Sequence, residues 1–89
     1  MSRERLSDAS ELLRRAAEGS DDASAERLHG FADRVDRMAT ADRDPDHGKL
    51  ASVLLKLDEI AAGLDEEQAE TVQAAREKIT AFRETVPGV

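Results

Sequence analysis

Asp42, Asp44, Asp46 and His47 fall within six residues, and oxygen and imidazole ligands at that density are what a hard cation would use. The spacing argues for something plainer. Calcium loops set their oxygens around a glycine-bearing turn and close on a late bidentate glutamate, whereas Pro45 here opens a helix at once. Helix capping and solvation account for these acids. Asp44, Asp46 and His47 stay on as metal candidates only within a second reading, in which the 42–47 turn serves a ligand- or metal-responsive regulator. The other imidazole, His29, belongs on the preceding helix about 20 Å along its axis, so the two histidines cannot share an ion within one chain. Both are expected to face solvent.

Other chemistry is not visible in the sequence. With no cysteine there is no disulfide, thiolate metal site or sulfur nucleophile. No Ser/His/Asp arrangement, glycine-rich phosphate loop or HExxH pair occurs, and the apolar stripes carry no Glu or His of the di-iron kind. We therefore expect no catalysis and no cofactor.

Charge narrows the partners. Twenty acidic residues oppose 13 basic ones for a net charge of −7, which repels phosphate backbones and anionic lipid. Arg14, Arg15, Arg34, Arg37, Arg76 and Arg83 are interleaved with acids, as in Glu11/Arg14 and Asp33/Arg37, so pairing within each helix is expected and no basic groove stands out. Nucleic acid is excluded as a partner on these grounds. No apolar run approaches the roughly 18–20 residues that span a bilayer, and the stretch from Met1 to Leu6 lacks the apolar core of a secretion signal, which together predict a cytoplasmic protein without membrane attachment.

What positions these residues is a duplication. Residues 6–42 superimpose on 50–86 at a constant offset of 44, with identities at Leu6/Leu50, Leu13/Leu57, Ala17/Ala61, Gly19/Gly63, Asp21/Asp65, Ala25/Ala69 and Glu26/Glu70. The apolar pairs Ala9/Val53, Ala16/Ile60, Leu28/Val72, Val35/Ile79 and Met38/Phe82 keep the same register. Each copy reads as one helical hairpin whose stripe is too thin to be buried alone.

Apolar residues at i, i+3, i+4 spacing predict helices from about Arg3 to Glu18, Asp22 to Ala41, Asp44 to Ala62 and Asp65 to Val86. Gly19 supplies a left-handed stop to the first helix, and Gly63 with Leu64 a Schellman cap to the third. Asp44 at N-cap and Pro45 at N1 start the third; Asp65 starts the fourth, with Gln68 completing a capping box. Gly30 breaks the second helix's propensity without falling on its apolar arc.

With connections this short the fold class is all-α: an up-down-up-down four-helix bundle of two tandem hairpins, one domain over residues 1–89, related by a pseudo-twofold with the third helix as central wall. The alternative is a pair of hairpins opened out and closed on a second chain. Leu55 points away from the third helix's stripe and is the interface candidate, so the expected state is monomer or homodimer.

Three stretches carry a resemblance: Leu6-Ser7-Asp8-Ala9-Ser10, Arg43-Asp44-Pro45-Asp46-His47-Gly48-Lys49-Leu50 and Arg83-Glu84-Thr85-Val86-Pro87-Gly88-Val89. In these the chain resembles short, acidic, helical haloarchaeal proteins grouped only as an uncharacterised family. The resemblance implies a haloarchaeal cytosolic origin and no activity. Scarce lysine, three against ten arginines, and abundant acid fit a protein kept soluble by concentrated KCl. The functional expectation is a small cytosolic interaction or scaffold protein adapted to high salt, acting through a protein partner or by self-association.

Overall fold

The computed structural model describes residues 2–43 and 45–86. Four helices are present: α1 (Ser2–Glu18), α2 (Asp22–Thr40), α3 (His47–Ala62) and α4 (Glu66–Arg83), with no strand among the described residues. Each helix after the first starts on an aspartate whose carboxylate accepts the N–H three residues on. Asp21 takes Ser24 N at 2.8 Å, Asp46 takes Lys49 N at 2.7 Å and Asp65 takes Gln68 N at 3.0 Å.

Several helix ends differ from the sequence expectation. No described glycine has positive φ; Gly63 sits at φ −98°, ψ 0°. Both hairpin turns close instead with i→i−3 bonds that tighten the last turn, from Gly19 N to Ala16 O (3.2 Å) and from Gly63 N to Ile60 O (3.1 Å). Helix α3 begins at His47 under the Asp46 cap, two residues later than expected, and Asp44 lies outside the described residues. Pro45 is therefore not N1. It is buried at N′, where with Leu50 at N4 it occupies the positions of a hydrophobic staple. Gln68 forms no capping box either, because its amide group fills the space over Gly19, where a Cβ would lie 2.1 Å from Nε2. Helix α4 ends at Arg83, short of Val86.

Cross-helix contacts establish the topology. Ser10 meets Asp36 and Arg14 meets Asp33, so α1 and α2 run antiparallel; Asp58 meets Arg76 and His47 meets Val86, so α3 and α4 do too. Asp8 lies near Lys78 while Gly19 lies under Gln68, which makes α1 and α4 antiparallel as well. The result is the up-down-up-down bundle. Its core is Leu6, Leu13, Leu28, Val35, Leu50, Leu57, Val72, Ile79 and Phe82, all essentially without exposed surface, together with several alanines. Burying an aliphatic side chain of this size is worth about 1.5–3 kcal/mol, and this is what closes the hairpins on one another.

The expected pseudo-twofold is broken. It would map the α1/α4 pair onto α3/α2, yet α1 packs along both α2 and α4 while α2 and α3 hardly approach each other. Residue volume supplies a reason. Ala9 and Ala16 let α1 come close to its neighbours, whereas the matching positions of α3 carry Val53 and Ile60, which hold that backbone farther off. The central helix is thus α1, not α3.

Polar clasps cross between helices where pairing within a helix was expected. Arg14 reaches Asp36 at 2.6 Å and Asp33 at 3.0 Å; Arg76 Nε reaches Asp58 at 3.0 Å and the Leu54 carbonyl at 3.3 Å. Arg3 donates to the Met38, Ala39 and Ala41 carbonyls, and so satisfies the open C-terminal end of α2 that has no glycine cap.

Candidate functional site: a cleft between α2 and α3

Where α2 and α3 stand apart, a cleft of about 720 Å³ opens beside the connection that joins them. Helical spacing explains its first wall: Arg34, Arg37, Met38 and Ala41 recur at three- and four-residue steps and so form one stripe of α2. Arg43 and Pro45 close the end. Asp46, Lys49, Ser52 and Val53 form the facing wall at the start of α3. Val53 and Pro45 are buried and Met38 is half-buried, so the floor is apolar, while the arginines and Lys49 stand exposed around it.

The charge of this cleft is opposite to that of the protein. Four cations line it against the single described carboxylate of Asp46, which is already committed to the Lys49 N–H. None of Arg34, Arg37, Arg43 and Lys49 makes an ion pair among the described residues; Arg34 instead lies over the Phe31 ring, 5.7 Å from its centre. The expectation of no basic groove is therefore corrected. Asp33, four residues before Arg37, turns instead to Arg14 of the adjacent helix.

Asp46 caps α3. His47 is half-buried rather than facing solvent, with Nε2 donating to the Val86 carbonyl at 2.8 Å, since a carbonyl can only accept. Asp44 falls outside the described residues. No group of three His, Cys, Asp or Glu side chains among the described residues could hold an ion, and His29 is exposed on α2. Leu55 is 63% exposed on the outer face of α3, the one large hydrophobic so exposed among the described residues.

Sequence reasoning missed the cleft because its lining is drawn from two helices and the segment between them. The available signal was weak: Arg34 and Arg37 lie on the α2 stripe positions that also hold Met38 and Ala41.

The described residues thus form an all-α four-helix bundle with an apolar-floored, cation-rimmed cleft between α2 and α3. The chain belongs to a family of unknown function, DUF7553, whose profile matches residues 1–85. No curated protein and no solved structure matches it. No helix among the described residues is long and apolar enough to cross a membrane.

Proposed function

We propose that this protein is a non-catalytic interaction module that binds, in the α2–α3 cleft, an apolar protein segment bearing carboxylates. The observation that carries this reading is the pairing of an apolar floor, Met38 and Val53, with a rim of Arg34, Arg37, Arg43 and Lys49 that makes no ion pair among the described residues. An amphipathic helix laid in a groove uses this combination: apolar anchors enter the floor, and acids one turn apart meet the rim. Electrostatic complementarity of this kind chiefly sets encounter rate and orientation. Composition supports a cytosolic setting at high salt, where a Debye length near 3 Å at about 1 M screens the rim charges at long range and leaves close pairs in play.

The test is a nuclear magnetic resonance titration with a short amphipathic Leu/Glu peptide. Shifts should concentrate at the Met38 and Val53 methyl groups and vanish in an Arg34→Glu/Arg37→Glu variant, whose altered positions are exposed. Shifts spread evenly over the surface, or unchanged by the double substitution, would remove the cleft as a binding site.

A further inference from the structure

The protein's own surface carries a feature whose chemistry complements the cleft. Leu55 projects from α3 with Asp58 and Glu59 three and four residues on, so an exposed aliphatic knob is flanked on its own helix by two carboxylates. The chemistry matches the apolar floor and cationic rim of the α2–α3 cleft. Taking the cleft as the binding face, we propose that its occupant is a second copy of this chain, which inserts Leu55 between Met38 and Val53 while Glu59 and Asp58 meet the Arg34, Arg37 and Lys49 rim.

Geometry dictates the form of the assembly. Val53 floors the cleft and Leu55 lies two residues beyond it, so the two side chains leave α3 about 200° apart. A molecule cannot fill its own cleft. Nor does one junction use up both surfaces: the copy that gives its Leu55 keeps an open cleft, and the copy that receives it keeps a free Leu55. The contact is heterologous, and repeats of it build an open chain or a ring rather than a twofold dimer. Asp58 is half-exposed beside Arg76 and retains a free oxygen edge, whereas Glu59 is exposed with no ion pair among the described residues.

Sedimentation equilibrium over a wide protein range, in KCl sufficient for full helicity, tests this. The wild-type mass should climb from 9.7 kDa without stopping at twice that value. Leu55→Arg removes the knob and Arg37→Glu/Lys49→Glu reverses the rim; both act at exposed positions, so circular dichroism should match wild type while association weakens at least tenfold. An equimolar mixture of the two variants retains one intact cleft and one intact knob and should form a two-subunit species that grows no further. A wild type monomeric up to its solubility limit, a Leu55→Arg variant that associates like wild type, or a mixture that stays monomeric overturns the proposal. If such a monomer still binds the Leu/Glu peptide at Met38 and Val53, self-docking alone fails; if it does not, the cleft fails as a binding face as well.

Discussion

Arg14 Nη2 lies 2.6 Å from Asp36 Oδ2, and the other oxygen of the same carboxylate accepts the hydroxyl of buried Ser10 at 2.5 Å. One residue of α2 thereby fixes the register of two turns of α1. Burial pushes Asp36 up, but the hydrogen bonds from Ser10 and Arg14 outweigh it and hold its carboxyl below the usual carboxylate range. The same contact raises Arg14 further, chiefly through its hydrogen bond to Asp36.

A carboxylate depressed in the folded state stabilises it above the unfolded pKa, near 3.9, and loses that contribution as pH falls through the lower folded value. Asp36→Asn should therefore cost about 1 kcal/mol at pH 7, a modest figure because both partners are more than a third exposed. The gap between variant and wild type should close below pH 4. Urea denaturation of both proteins at fixed high salt measures it, and a pH-independent gap would show that the charge is not the stabilising element.

Gly30 sits inside α2 with negative φ, and a Cβ placed there would meet nothing within 4 Å. Its backbone freedom is not used in this fold. Gly30→Ala should stabilise by about 1 kcal/mol, raising Tm by about 4–8 °C in a chain of this size. Thermal unfolding with an unchanged or lowered Tm would mean the position has a constraint beyond helix propensity.

The start of α3 is held from two sides, by the Asp46 cap on Lys49 N and by the His47 bond to the Val86 carbonyl. Asp46→Ala and His47→Ala should each cost about 1 kcal/mol. Only the histidine change should speed hydrogen exchange of the Thr85 and Val86 amides, because only it unties the end of α4. A divalent cation that raised the Tm of wild type and not of His47→Ala would instead mark this turn as a metal site.

Salt should matter for the fold itself. With a net charge of −7 and few bulky core residues, self-repulsion opposes compaction in dilute buffer. Far-ultraviolet circular dichroism and unfolding free energy should both rise with KCl toward about 1 M, where the Debye length falls to about 3 Å. Full helicity with a cooperative transition already at low ionic strength would contradict this.

Leu57 and Ile79 show what was legible in advance. Each belongs to a run of apolar residues at helical spacing, and each is fully buried, because amphipathic periodicity states which face must leave water without reference to the neighbour that covers it. The aspartate cap at Asp65 was equally readable, since it acts within four residues. Asp46 was misassigned in favour of Asp44 because proline suits both N1 and N′. Glycine likewise suits a left-handed cap and a tight 3₁₀ closure, so Gly63 alone did not discriminate between them.

By itself, then, the chain determined four helices, their breaks, their buried stripes and hence an all-α bundle, for all of these follow from short-range spacing. Tertiary packing decided that α1 lies at the centre, that α2 and α3 stand apart, and that Arg34, Arg37, Arg43 and Lys49 gather around Met38 and Val53. Those outcomes depend on the volumes that meet between helices, alanines on α1 and branched side chains on α3. A periodic pattern repeated at one offset carries no measure of that difference, which appears only once the helices are pressed together.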